Sequence, residues 1–443
     1  MKKYFGTDGI RGIVGEFLTP ELALRTGRAV GLFKDNIKVV VAKDTRISGD
    51  MIMCALISGL VGQGANVDII GLSTTPALAY ITKDNYDFGI MLTASHNPYN
   101  YNGIKIFDKT GNKLSEEDEE QLEKAIDNIE NYKYCENIGE ITYKENLLNT
   151  YIDSIKTNLT KKYYDLKICI DLANGGAVLL AKKLFKEKQF KKLTFINSQY
   201  NGKIINKNCG ATNLEMLKNF VIDKGYDIGF AYDGDADRIM IVSNNGEVVD
   251  GDDILFLLIK YEYKNLPKKT VVGTVMTNYG LEDFLNKRGL KLKRVGVGDK
   301  NIKECMVKDE LWLGGENSGH IITNTNCTGD AIFVTTKIIN ILNKTKKQLS
   351  TLLLGYKKYP NVLTNIKLEN KNQNSIVDSG FMKKIIDKYQ KVLENNGRIF
   401  VRASGTEPLI RVLVEGKNEK DVLFVSNGIC ADIEKYITEI NWI

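Results

Sequence analysis

The sequence has 443 residues, 43% hydrophobic and 26% charged, with a formal net charge of +6. That length suits roughly two to four globular domains, and the composition excludes collagen, coiled coil and wholesale disorder. The mild positive charge neither demands nor excludes nucleic acid. The longest apolar runs, such as 254–259, are far too short to span a bilayer, so no membrane partner is expected. In chain order, the N-terminus MKKYFGTDGIRG carries two lysines with no apolar stretch behind them, so it does not read as a secretory signal. Short β-rich runs then alternate with amphipathic helical stretches, which predicts an α/β architecture.

One pattern occurs three times. Residues 38–42 (KVVVA), 167–171 (KICID) and 270–274 (TVVGT) each read as a strand that ends in a polar turn and enters a helix. Each unit leads to a second strand, at 88–92, 227–232 and 311–313, and then to a polar loop, at 93–98, 233–238 and 314–320. Ligands of open α/β sheets bind beyond the carboxyl ends of strands, so the three loops are expected to meet in one cleft. The acidic run at 116–120 follows Ser115, a helix N-cap, and predicts a helix through Ile129. After Lys357 the pattern changes to a helix around 381–395, strands at 398–401 and 410–414, and a final helix. The expected fold is three similar α/β domains with mixed sheets (1–150, 151–252, 253–360) plus a smaller C-terminal α+β domain (361–443) around a central cleft.

Residue usage narrows the chemistry. Of 61 basic residues ten are Arg, and Arg11, Arg46, Arg238, Arg402 and Arg411 lie in Gly- or Asp-containing segments. Placing a planar five-donor fork there points to an anionic small ligand with oxygen acceptors. Seven Cys with no C-x-x-C spacing suggest free thiols in a reducing cytoplasm. His96 and His320 are the only histidines, which excludes a zinc site built on several His.

The loop DGDADR at 233–238 carries the strongest local signal. If the segment is extended, Asp233, Asp235 and Asp237 project to one side and make an oxygen-rich pocket for a hard divalent cation such as Mg²⁺. An EF-hand does not fit, because Arg238 and Asn244 stand where it needs Gly and Glu. TASHNP at 93–98 holds Ser95 and His96 after an apolar strand, followed by Lys105, but lacks the flanking glycines of a hydrolase elbow. GGENSGH at 314–320 offers Glu316, Asn317, Ser318 and His320 as partners for hydroxyl groups. RASGTEP at 402–408, with Arg411, combines Arg forks, the Ser404 and Thr406 hydroxyls and the exposed backbone of Gly405 into a phosphate nest.

FGTDGIRG, TASHNP, DGDADR, GENSGH and R-x-SGTEP, in that order from Tyr4 to about Glu434, resemble the α-D-phosphohexomutase superfamily. Asn317 and the Thr75-Pro76-Ala77 stretch are more similar to its glucosamine branch than to its phosphomannomutase/phosphoglucomutase branch. The resemblance implies that Ser95 carries a phosphoryl group and that Asp233, Asp235 and Asp237 hold one Mg²⁺ per subunit with a Ser95 phosphate oxygen. It further implies that Arg238 steadies the phosphoserine, and that Glu316 and Ser318 bind sugar hydroxyls. Arg402, Ser404, Gly405, Thr406 and Arg411 would grip the non-reacting phosphate. Arg11, His96 and Lys105 would stabilise charge and move protons. The implied reaction converts glucosamine 6-phosphate to the 1-phosphate, a precursor of UDP-N-acetylglucosamine; the alternative is a phosphomannomutase or phosphoglucomutase of the same superfamily. A glucose or glucosamine 1,6-bisphosphate serves as primer and intermediate. A homodimer is compatible with this reading; a sensor without catalysis would not need both Ser95 and the aspartates. Three departures stand out: Ala236 where Gly is usual, Lys300 where Arg is frequent in a phosphate contact, and Tyr101 in place of an acidic residue.

Overall fold

The computed structural model describes residues 3–6, 8–264, 266–368, 373–404 and 408–440. Its contacts gather into two compact units, Met1–Thr274 with Lys293–Leu353, and Val275–Leu292 with Leu354–Ile443.

The larger unit holds three mixed sheets, and the repeat seen in the sequence is a repeat of strand pairing. Strand Lys38–Lys43 pairs in parallel with Phe88–Leu92, Tyr163–Asp171 with Ile228–Tyr232, and Thr270–Thr274 with Leu313–Gly315. Each second strand then pairs antiparallel with the strand after its loop: Tyr101–Asp108, Ile239–Ser243 and Ile321–Thr323. The polar loops therefore lie between a central parallel strand and its antiparallel neighbour, at the same position in each sheet. The central strands are apolar runs because helices cover both faces; Ile228–Tyr232 is buried at every position.

Local signals account for the element ends. Ser115 Oγ accepts from Asp118 N–H and caps the helix Glu116–Asp127, as its sequence predicts. The expected continuation to Ile129 is corrected: Asn128 Nδ2 donates to Lys124 O at 2.8 Å, and a 3₁₀ turn Ile129–Asn131 follows. The third unit's second strand is Leu313–Gly315, not 311–313. Leu311 N–H is used on Met306 O at 2.8 Å, closing the helix Asp299–Lys308. Two glycines, poor strand formers in isolation, take the ladder positions instead.

The smaller unit is built on a three-stranded antiparallel sheet ordered Asn361–Lys367, Leu409–Gly416, Gly397–Ala403. Helices Gly380–Leu393 and Glu419–Ile440 pack their apolar residues, among them Met382, Ile385, Val425 and Ile429, on Ile410, Val412 and Val414. Segment 275–292 belongs to this unit: Asn278 Nδ2 donates to Tyr359 O at 3.0 Å, and Tyr359 N–H to Asn278 Oδ1 at 2.9 Å.

Candidate active site

Asp233, Asp235 and Asp237 are all buried, with ligand oxygens within 4.8 Å of one another. The loop converges by a turn rather than by the extended alternation its spacing suggested. Ala236 N–H donates to Asp233 O at 3.2 Å, and Ala236 takes φ +56°. A left-handed alanine is strained, and it is what folds the third carboxylate back onto the first.

Ser95 also has a left-handed backbone, φ +49°, and is buried. Its Oγ donates to Asp233 Oδ2 at 2.5 Å and lies 3.4 Å from His96 Nδ1. The serine loop and the aspartate loop, 138 residues apart in sequence, thus meet at one hydroxyl.

Lys105 enters from strand Tyr101–Asp108 and is 1% exposed. Its Nζ lies 2.8 Å from Asp235 Oδ2, 3.0 Å from Asp237 Oδ2 and 3.1 Å from Asp8 Oδ2. Burial opposes its charge, but these three carboxylates outweigh burial and hold its pKa well above the usual lysine value. Burial followed by the neighbouring Asp237 and Asp235 pushes Asp233 well above the carboxylate range. Asp237 is displaced the other way, because Lys105, then His320 and Arg238, overcome its burial. Burial, then Arg238 and Arg11, lowers His96 to about 4.

The charges continue outward in alternation. Asp8 also pairs with Lys113 and Arg11; Lys113 reaches Asp299 Oδ2 at 2.6 Å. Asp299 Oδ2 is 3.5 Å from His320 Nε2, and His320 Nδ1 is 3.8 Å from Asp237 Oδ1, which closes a ring back onto the triad. His320 Nε2 accepts Gly329 N–H at 2.9 Å, which orients the imidazole. Arg238 holds its Nε 3.9 Å from Asp237 Oδ1, and its backbone N–H donates to Asp233 Oδ1 at 3.2 Å.

The residues present fit a hard divalent cation. Asp235 Oδ1 and Asp237 Oδ1 are buried oxygens with no hydrogen-bond partner, while the other oxygen of each is taken by Lys105. Buried carboxylate oxygens without donors are costly, and carboxylates of this kind are what Mg²⁺ and Ca²⁺ bind.

The GENSGH loop is tied to the same place. Ile239 N–H donates to Gly319 O and Gly251 N–H to Asn317 O, each at 3.1 Å. Glu316 is buried, accepting Gly298 N–H at 2.8 Å and the Ser318 hydroxyl at 3.0 Å. Asn317 is exposed. Lys300, expected to bind substrate, places its Nζ 3.0 Å from Glu119 Oε1.

In the smaller unit, Arg402 and Arg411 occupy directly opposed positions on antiparallel strands. Burial and then the neighbouring Arg411 charge lower the Arg402 pKa. Ser404 is buried at the end of this hairpin, its N–H donating to Leu409 O at 2.9 Å. Gly405 and Thr406 lie outside the described residues.

Sequence reasoning missed Asp8, Lys113, Asp299 and Thr75, whose hydroxyl donates to Asp235 Oδ2. Asp8 stands inside the FGTDGIRG motif and was legible there; Lys113 and Asp299 carry no local signal.

Four family profiles match most of the chain. Those described as phosphoglucomutase/phosphomannomutase alpha/beta/alpha domains I, II and III match residues 2–133, 149–246 and 250–359, and the C-terminal domain matches 363–425. The sequence is 40% identical, over 99% of this chain and 100% of the other, to a phosphoglucosamine mutase of Clostridioides difficile (strain 630). It is 41% identical, with 99% of each chain covered, to a phosphoglucosamine mutase of Alkaliphilus oremlandii (strain OhILAs). The fold is similar to the crystal structure of a phosphoglucomutase/phosphomannomutase family protein from Burkholderia thailandensis, with a TM-score of 0.80, 23% identity and 97% of each chain covered.

Proposed function

The chain belongs to the phosphoglucomutase/phosphomannomutase family and is an isomerase, a phosphohexomutase; from that premise we propose that it interconverts glucosamine 6-phosphate and glucosamine 1-phosphate through a phosphorylated Ser95 and a 1,6-bisphosphate. The glucosamine substrate is supported by relatives named phosphoglucosamine mutase that match over nearly the full chain. The single observation that carries the mechanism is the meeting of the Ser95 hydroxyl with Asp233 inside the aspartate triad.

In the forward direction the bond between phosphorus and Ser95 Oγ breaks as the sugar O1 forms its own bond to phosphorus. The O1 proton is released, and Ser95 Oγ ends as a hydroxyl. The intermediate then turns, its 6-phosphoryl group passes back to Ser95 Oγ, and O6 recovers a proton. His96 is the group beside Ser95 Oγ that exchanges a proton there. The cations of Lys105, Arg11 and Arg238 oppose charge on the transferring oxygens, which is most of what such a transfer asks of a protein. Asp233, Asp235 and Asp237, with the Ser95 side chain, would hold one Mg²⁺, whose contribution when bound is positive charge against those oxygens. Glu316, Asn317, Ser318, His320 and Lys300 orient the sugar. Arg402, Ser404, Gly405, Thr406 and Arg411 hold the phosphate that is not reacting. The same reading divides the chain at residues 150, 252 and 360 and is supported by its four sheets. A cytoplasmic setting, supplying a UDP-sugar precursor, is supported by seven free thiols.

A coupled assay with glucosamine, glucose and mannose 6-phosphates, primed by glucose 1,6-bisphosphate, tests the substrate. Glucosamine 6-phosphate should give the highest kcat/KM. A higher value with glucose or mannose phosphate overturns the glucosamine assignment.

A further inference from the structure

Arg46, one of the few arginines and unassigned by the mechanism above, is completely buried in the larger unit. All five of its N–H donors are engaged. Nε meets Asp44 Oδ2 at 3.0 Å; Nη1 meets Pro98 O and, at 2.9 Å, Tyr101 O; Nη2 meets Ser95 O at 2.9 Å and Asn97 O at 2.8 Å. Four of the five acceptors are backbone carbonyls of the serine loop and the strand it leads into.

A second side chain grips two of the same carbonyls. Asn206 Nδ2 donates to Ser95 O at 2.8 Å and to Asn97 O at 3.0 Å. Asn206 comes from the segment after strand Gln189–Ile196, in a different sheet from the serine loop. Its surroundings leave no slack. A Cβ on Gly234 would lie 2.5 Å from Ser95 O and 3.0 Å from Asn206 Nδ2, and one on Gly202 would lie 2.2 Å from Thr45 O. The chain approaches so closely there because glycine has no side chain to separate the backbones.

These four bonds converge on the carbonyl of a serine held at φ +49° and on that of Asn97 two residues later. A left-handed non-glycine backbone persists only where its surroundings over-determine it. We infer that Arg46 and Asn206 are positioning residues that clamp the Ser95 loop so that Oγ faces the aspartate triad throughout phosphoryl transfer. Neither touches the substrate in this role; both act through the loop's carbonyl oxygens. The clamp keeps the loop's backbone in place while the group on Ser95 Oγ changes between hydroxyl and phosphate. This inference rests on the reading of Ser95 as the phosphoryl carrier.

The test uses the full chain as wild type, Asn206→Gly, Asn206→Asp and Arg46→Lys. Asn206 has φ +57°, so glycine keeps the backbone comfortable while removing the side chain that carries the donors. Aspartate keeps the shape but turns a donor toward carbonyls into an acceptor. Lysine keeps the charge beside Asp44 but cannot span four carbonyls. Each protein is loaded with glucose 1,6-bisphosphate, freed of excess, and mixed with glucosamine 6-phosphate. The loss of phosphate from Ser95 is followed by intact mass, beside kcat, KM and the folded fraction by circular dichroism.

Transfer in Asn206→Gly should slow about tenfold to a hundredfold, the scale of a small misplacement of reacting atoms, with KM changed less than about twofold. Asn206→Asp and Arg46→Lys should be slower still. Transfer within about twofold of wild type in both Asn206 variants overturns the clamp, as does a loss that only tracks the unfolded fraction. Wild-type protein that takes no phosphate on Ser95 overturns the carrier reading itself, and the clamp's purpose with it.

Discussion

The two units handle charge in opposite ways. Around the aspartate triad, acids and bases alternate: Lys105 answers Asp235, Asp237 and Asp8, and Lys113, Arg11 and Arg238 add further cations to the same carboxylates. On the small sheet, Arg402 and Arg411 face each other in register, and the pKa of Arg402 is lowered by burial and by its neighbour. Like charges directly opposed on a sheet are destabilising, whereas an alternating network largely neutralises itself. The first region is therefore preassembled, and the Asp235 and Asp237 oxygens that lack a hydrogen-bond partner suit a cation. The second region sets two Arg forks side by side, and in the function proposed above it is where a phosphate would be held.

The largest effect should come from the hydroxyl at the centre of the preassembled region. Ser95→Ala should abolish turnover while circular dichroism stays native, and intact mass should show a phosphate adduct on wild type and none on the variant. Full activity in Ser95→Ala would break the comparison at its root. Next, Asp235→Asn keeps volume but removes one charge from the set. Activity should fall roughly a hundredfold or more, on the scale of losing a preorganised charge partner. Mg²⁺ should raise the melting temperature of chelator-treated wild type by mass action and that of the variant much less. An equal rise in both proteins would remove Asp235 from the cation site.

The region proposed to hold the second phosphate should respond more gently. Arg411→Lys keeps the charge and loses the bidentate fork. KM for the sugar phosphate should rise about tenfold or more, from losing roughly 1.5–3 kcal/mol of charged hydrogen bonding. Escape of the 1,6-bisphosphate should rise too, making turnover more dependent on added primer. Unchanged values for both would move the holding site elsewhere, with Lys300 as the next candidate. The smallest effect is at Ala236, left-handed at φ +56° where glycine would relax. Ala236→Gly should raise stability by about 0.5–1 kcal/mol in denaturant unfolding; a fall in stability would show that the alanine's packing outweighs its strain.

Much of this was legible in one dimension. Strands such as Phe88–Leu92 and Thr270–Thr274 were readable because central strands buried on both faces are short, mostly apolar runs ended by polar turns. Three aspartates separated by small residues, and a serine beside a histidine, announced their loops without structure. What misled was local geometry. The aspartate spacing suggested an extended segment, yet a left-handed Ala236 brings the carboxylates together. The glycines at 314 and 315 hid a strand that exists because its partners pair with it.

Residue type and spacing therefore determined the elements, the three repeated loops and the chemical identity of each loop, because those depend on side-chain chemistry and on periodicity along the chain. Only the tertiary structure decided which groups share a charge balance. Asp8, Lys105, Lys113, Asp299 and His320 are scattered over more than 300 residues, yet close one ring on Asp237. Arg46 and Asn206 meet at the same two carbonyls from loops that follow strands of different sheets. Long-range pairing of this kind follows from how sheets stack and loops cross, and electrostatic energy depends on distance in space rather than separation in sequence.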